Sequence, residues 1–313
     1  MHFFLVASSL SIRSVTEALR LSGRVYLWKR STLYILVSLI YAMTEPFVDT
    51  ETDRTKSRWL AKVYHDFVEE IGRSRTTLRA LFYYAMQRKE ADYPICGWFV
   101  GEIRITRPYH DSDGEKLSKW MSKARKLGFI PADAILDEIP GEHVFLPESS
   151  PRRPNSIEVW LNKSALNPLI GPVCEKHQVT LVSVSGSASE EAIEALYRRC
   201  DSPTVILCLS DLSSGSAFFC QDLATKIANS KPPGSNAEIR VKCIALKPDQ
   251  VMELKIPLVQ GSIDSKENQE RFKRYLKSHS LDPKKMAELD ALEVYYPGGI
   301  AGFLDKSLSE YFE

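Results

Sequence analysis

The sequence predicts an α/β protein in which a cation-rich helical module precedes a parallel sheet flanked by helices. Three observations carry that expectation. Helical periods with clustered Arg and Lys run from Arg73 to Lys126. The stretch "LPESSPRRPNS" (146–156) has three prolines, three serines and no period, as a linker does. Beyond it, short β-branched runs alternate with helical patterns, the signature of strands crossing over through helices. With 313 residues there is room for two domains. The expected boundaries are an extension of unassigned role over 1–56, a helical domain over 57–147 and an α/β domain over 156–313.

The chain is 44% hydrophobic and 26% charged, ordinary for a globular protein, and its net charge of +1 points to no partner by itself. Within the extension, "LYILVSLIYAM" (33–43) is apolar but too short to span a bilayer, so no membrane partner is expected. The six cysteines form no CxxC pair and no Cys/His zinc spacing, and several lie in apolar runs such as "TVILCL". Reduced thiols in an intracellular compartment are the expectation.

"EPFVDTETDRTKSR" (45–58) is polar and turn-rich and reads as the separator from the helical domain. In "SRWLAKVYHDFVEEIG" the residues Leu60, Val63, Phe67 and Ile71 recur at helical spacing and Gly72 stops the helix. "SRTTLRALFYYAMQR" offers Ser74, Thr76 and Thr77 as N-caps, with Leu78, Leu81, Phe82 and Ala85 on one face. A Pro- and Gly-bearing loop follows. Then "DGEKLSKWMSKARKLGFI" places Leu117, Trp120, Met121, Ala124 and Leu127 on one stripe, Lys116, Lys119, Lys123 and Lys126 off it, and Gly128 at the end. Three helices, the last studded with lysine, suit a helix-turn-helix or winged-helix module. A merely solvated lysine face is the competing reading.

In the second half, "IEVWL", "VTLVSVS", "TVILCLS" and "IRVKCIAL" read as strands, with "SEEAIEALYRRC" and "GSAFFCQDLATKIAN" as helices between them. In such sheets the chemistry belongs at the carboxyl ends of strands, here Asn162, Gly186 to Ser189, and Ser210 to Gly215. Glu190 and Glu191 follow "SGSAS" and suit a helix start, where the dipole favours acids. The "SGSAS" backbone could itself cradle a phosphate.

Taken together, "TTLRALFYYAM", "GEKLSKWMSKARKLGFIPADAILDE", "IEVWLNKSAL", "IRVKCIALKPDQV" and "ELDAL" (288–292) resemble, in this order, motifs of the topoisomerase VI A subunit and its meiotic double-strand-break relatives. The likeness is closest to prokaryotic and phage proteins with the same domain pair, and it covers roughly residues 57 to 295. It implies an N-terminal helical winged-helix DNA-binding domain followed by a Toprim domain, a parallel, Rossmann-like α/β fold. It also implies double-stranded DNA as partner and a homodimer in which the Toprim site of one protomer serves the tyrosine of the other. A separate ATPase subunit would complete the assembly, since this chain has no Gly-rich Walker loop and thus no ATP site of its own.

Carried onto the matching positions, the resemblance puts Arg79 at the motif arginine, Phe82 at the aromatic and Tyr83 at the nucleophile, with Tyr84 as the alternative about 100° round the helix. A phenolate attacking a phosphodiester would form a phosphotyrosyl link, and it needs nearby cations because tyrosine's ordinary pKa is about 10. A core-packing role for the ring is the other reading. DNA phosphates would be met by Arg75, Arg79, Lys116, Lys119, Lys123 and Arg125.

The metal half departs from the pattern. Where relatives have a glutamate after the first Toprim strand, this chain has Asn162. Where they have an Asp-x-Asp, it reads "SDLSSG", with Ser210 and Leu212 at the two positions, or Asp211 at the first if one deletion is allowed. One carboxylate at best predicts weak or absent Mg²⁺ binding. The expected function is therefore DNA binding with impaired or lost strand cleavage. The alternative is an active transesterase acting through Tyr83.

Overall fold

The computed structural model describes residues 50–100, 103–148, 155–261 and 265–312. The apolar run 33–43 and positions 149–154 of the expected linker lie outside them. Residues Thr50–Glu313 form one compact unit.

Helix α1 spans Glu51–Ile71. It begins inside the stretch expected to be a polar separator, because Thr50 caps it: the Thr50 hydroxyl accepts from the Asp53 N–H at 3.1 Å, and Glu51 and Asp53 face the positive end of the dipole. Gly72 closes the helix at φ 77°, a left-handed conformation that glycine adopts without a Cβ penalty, and its N–H donates to the Val68 carbonyl.

Strand β1 (Thr76–Thr77) leads directly into α2 (Leu78–Gln87). Of the three candidate caps it is Thr77 that serves, its hydroxyl accepting from the Ala80 N–H at 3.1 Å. The segment expected to be a loop instead contains an antiparallel hairpin, β2 (Tyr93–Val100) with β3 (Ile103–Arg107). A short 3₁₀ turn leads to α3 (Leu117–Lys126), which buries Leu117, Trp120, Met121 and Ala124. Gly128 follows at φ 71°. Strand β4 (Ile135–Leu136) then pairs in parallel with β1.

The second half is built on β5 (His143–Phe145), β6 (Ser156–Leu161), β7 (Thr180–Ser183), β8 (Thr204–Leu209) and β9 (Ile239–Ala245). Their order in the sheet is β5-β7-β6-β8-β9, with β7, β6, β8 and β9 parallel and β5 antiparallel at the edge. The four parallel strands are those the β-branched runs predict, whereas β5 lacks such a run. Helix α4 (Asn167–Lys176) connects β6 to β7, α5 (Glu190–Arg199) connects β7 to β8, and α6 (Phe219–Asn229) connects β8 to β9. Ser189 caps α5 and Glu190 and Glu191 occupy its first turn, as the sequence suggests. After β9 come α7 (Pro248–Glu253), β10 (Val259–Gln260), α8 (Lys266–Ser278), β11 (Lys285–Met286), α9 (Leu292–Tyr295) and α10 (Gly299–Phe312).

Alternation along the strands divides the core. Trp160, Val182, Ile206 and Cys208 face Ile193, Leu196 and Leu223 of α5 and α6. Val159, Leu161, Leu207 and Leu209 face the other way, into a cluster that runs on through Leu304 and Leu308 to Phe67, Leu81, Phe82 and Met121 of the helical half. One continuous apolar core therefore spans both halves. Successive strands β7 and β8 lie on opposite sides of β6, so the carboxyl ends of β6 and β8 flank the crevice where open α/β sheets bind ligands.

Candidate functional site

At that crevice, Lys163 follows β6 and Asp211 follows β8. A third segment is delivered by a bridge in which Leu212 and Ala287 exchange backbone hydrogen bonds at 2.9 and 3.0 Å. It brings Glu288, Leu289 and Asp290 alongside Asp211, whose Oδ1 accepts from the Leu289 N–H at 2.8 Å. The Lys163 ammonium thus lies among three carboxylates: it pairs with Asp290, and stands 3.6 Å from Asp211 and 3.8 Å from Glu288.

Helix α2 closes the site from the other half. Arg79 pairs with Glu288, the Thr77 hydroxyl donates to Asp290, and the Tyr83 hydroxyl accepts from the Glu288 N–H at 3.1 Å. Arg79 also lies over the Phe82 ring, 4.1 Å from its centroid. Nearby, Arg73 pairs with buried Glu293, whose Oε2 accepts from the Ile300 N–H at 3.2 Å.

The electrostatics follow from this packing. Burial disfavours the Lys163 ammonium, yet Asp290, Asp211 and Glu288 outweigh it and hold its pKa above the ordinary lysine value. Burial likewise opposes ionisation of Asp290, but Lys163 and the Thr77 hydroxyl hold its carboxyl below the usual range. Asp211 and Glu288 are raised, burial exceeding the help of Lys163 and, for Glu288, of Arg79. Tyr83 is fully buried and its phenol is pushed well above the ordinary value, first by burial and then by the Glu288 charge, with Arg79 opposing. Tyr84 is no better placed. Its hydroxyl donates to Glu70 at 2.6 Å, and burial together with that bond raises it as well.

The predicted site residues divide accordingly. Tyr83, Arg79 and Asp211 are brought together. Tyr84 points elsewhere, toward Glu70. Asn162 stands beside the cluster and donates to the Ser216 hydroxyl at 2.8 Å. Ser210 is buried and prolongs the sheet by exchanging backbone bonds with Ala245 and Leu246, and Leu212 is buried in the core. Of the two alignments of "SDLSSG", only the one that selects Asp211 reaches the acidic centre.

The basic residues separate too. Arg75, Lys116 and Lys119 are exposed. Lys123 is largely buried and pairs with Asp53, which Lys119 also approaches at 3.6 Å. Arg125 is 3.7 Å from Asp137. At the "SGSAS" turn, which could have cradled a phosphate, the N–H and hydroxyl of Ser189 instead both meet the Glu142 carboxylate at 2.6 Å.

Lys163, Glu288, Asp290 and Thr77 were not among the expected site residues. "ELDAL" carried a motif signal without a role for its acids, and Lys163 hid inside "WLNKSAL" beside the more conspicuous Asn162. Among the described residues, no group of three or more His, Cys, Asp or Glu is arranged to hold a metal ion. The three acids that converge do so on an ammonium, and a dication placed among them would stand against that like charge. The residues present therefore do not fit Mg²⁺. Among the described residues, no helix is long and apolar enough to cross a membrane. No protein-family model matches the chain, and no curated protein matches it significantly.

Proposed function

We propose that this chain is a DNA-binding protein of the winged-helix plus Toprim plan that no longer cleaves strands. The observation that carries the reading is Lys163: its ammonium stands among Asp211, Glu288 and Asp290, where cleavage chemistry of the topoisomerase VI A type would call for a divalent cation. A second support is Tyr83. A nucleophile must meet the phosphate as a phenolate, and this phenol is buried, held by its own chain's Glu288 backbone and raised in pKa. DNA contact is assigned to the exposed cations Arg75, Lys116 and Lys119, whose phosphate contacts would be largely independent of sequence. Any ATP-driven step would need a separate subunit.

The test is incubation of purified protein with supercoiled plasmid in Mg²⁺ or Mn²⁺, quenched with detergent, with and without protease, beside the Tyr83→Phe variant. The expected result is salt-sensitive gel retardation with no protein-linked nicked or linear DNA in either protein. A covalent adduct lost in Tyr83→Phe would establish the transesterase instead. Absence of retardation would overturn the DNA-binding reading altogether.

A further inference from the structure

Positions 266–285 carry seven Lys or Arg against three Asp or Glu, a concentration of positive charge that the balanced chain as a whole conceals. Part of that charge is gathered around a hollow. On α8, Gln269, Phe272 and Lys273 fall at i, i+3 and i+4 and so share one face of the helix. Strands β10 and β11 pair antiparallel with Gln260 opposite Lys285, which sets those two side chains on the same side of the ribbon. Lys284 precedes β11, and Ser214 comes from the loop after β8. These segments enclose a cavity of about 250 Å3, lined also by Met286.

The chemistry of its wall is one-sided. Among the described residues that line it are three ammonium groups, two amides and a hydroxyl, and no carboxylate. The side chains of Ser214, Gln260, Lys284 and Lys285 have no hydrogen-bond or ion-pair partner within the described residues. Two acids stand beside the cavity: Glu270 pairs with Lys273 at 2.7 Å, and Asp111 accepts from the Gln260 N–H at 2.8 Å. Neither is paired with Lys284 or Lys285, so both of those charges remain uncompensated at the wall. The complement is a small oxyanion bearing more than one charge. A carboxylate brings one, whereas a phosphate monoester brings about 1.5 to 2 at neutral pH, together with three acceptor oxygens for donors that lack partners. Phe272 and Met286 give the wall an apolar portion for the organic part of such an ester.

We infer that this cavity binds a phosphate monoester, its phosphate held by Lys273, Lys284 and Lys285 and its organic part set against Phe272 and Met286. A small phosphorylated molecule and the 5′-phosphate end of a nucleic-acid strand share this chemistry. An internal phosphodiester carries a single charge and is flanked by sugars on both sides, which suits a groove better than a hollow of this size. The position of the cavity gives its occupant a further effect. Ser214 lies two residues beyond Leu212, and Met286 directly precedes Ala287, so the ligand touches both segments joined by the bridge that sets Glu288 beside Asp211. Binding should therefore raise the melting temperature of the chain as ligand is added. The inference does not depend on the DNA-binding reading.

The experiment titrates the full chain with phenyl phosphate by calorimetry, beside benzoate, which has the same ring and one charge. Phenyl phosphate should bind with one-to-one stoichiometry, and benzoate at least about tenfold more weakly. The Lys284→Gln/Lys285→Gln double variant should lose at least about tenfold in phenyl phosphate affinity, the scale of a lost charge-assisted hydrogen bond. Lys284→Arg/Lys285→Arg, which keeps both charges, should retain most of the affinity, and so should Lys277→Gln, which removes a charge from α8 away from the cavity. Circular dichroism establishes that each variant is folded. Competition then identifies the source of the phosphate. Displacement of phenyl phosphate by a 5′-phosphorylated oligonucleotide, and not by its 5′-hydroxyl counterpart, upholds the site as one for a strand end. Displacement by glucose 6-phosphate and by neither oligonucleotide upholds it as one for a small molecule. No binding of phenyl phosphate, equal binding of benzoate, or an affinity that survives Lys284→Gln/Lys285→Gln overturns the inference, as does equal displacement by both oligonucleotides.

Discussion

Lys163→Met keeps the length of the side chain and removes its charge, leaving Asp211, Glu288 and Asp290 without their shared ammonium. Breaking a buried ion cluster from one side costs about 3–5 kcal/mol, which urea denaturation near neutral pH should register. The pH dependence carries a sign. The raised pKa of Lys163 means that its stabilisation is complete below the unfolded lysine value of about 10.4 and is lost as pH rises through the higher folded value. Asp290 behaves oppositely: its depressed pKa gives stabilisation present above about 3.9 and lost as pH falls through the folded value. Without the ammonium the folded-state values of the three acids climb, so the folded form takes up protons ahead of the unfolded chain. The variant should therefore gain stability as pH is lowered from about 8 toward about 5. A denaturation midpoint equal to wild type at neutral pH would show that Lys163 does not balance the cluster. Lys123 on α3 and Lys116, which immediately precedes that helix, make a second contrast. Lys123→Ala withdraws the cation beside buried Asp53 and should lower the melting temperature. Lys116→Ala removes an exposed charge, and should leave the melt unchanged while reducing the salt slope of DNA binding by about 1. Gel shifts over a salt series distinguish the two.

Thr77 shows how one residue serves two elements. Its hydroxyl caps α2 through Ala80 and reaches across to Asp290. Thr77→Val retains the shape and β-branch but abolishes both bonds. The expected loss is about 1–2 kcal/mol, the upper part of the range for caps, and Ser at the same position should restore most of it in the same denaturation assay. The helices α1, α2 and α3 and the four parallel strands were legible in the sequence because each carries its own period or β-branched run. The β2–β3 hairpin was not, since Pro94 and Gly97 interrupt the alternation that marks a strand. Strand β5 was missed for a related reason: an edge strand buries too little to impose an alternating pattern, and "HVF" sits between loops rich in Pro and Gly. Within the site, Tyr83, Arg79 and Asp211 were legible through spacing and resemblance. Glu288 and Asp290 were not. Asp290 meets Thr77 across 213 positions and Glu288 meets Arg79 across 209, contacts that no local pattern encodes.

At the scale of the whole molecule, the apolar core passes from Phe67 and Leu81 to Val159 and Leu304 without a break. Trp59 and Trp120 report on the helical half and Trp160 on the sheet, each nearly or fully buried. Tryptophan fluorescence and far-ultraviolet circular dichroism should therefore follow one coincident urea transition for residues 50–313. Separate transitions would mean that the two halves hold together less tightly than the shared core requires. The acidic centre lies on that same seam, so its geometry is only as firm as the packing of one half on the other.

A divalent ion comes and goes with supply, competes with other metals and can be stripped by a chelator. The ammonium of Lys163 is synthesised with the chain, and its local concentration is fixed by folding alone. Starvation for metal leaves it in place, and no cheaper ion displaces it. The positive charge of the centre is therefore permanent.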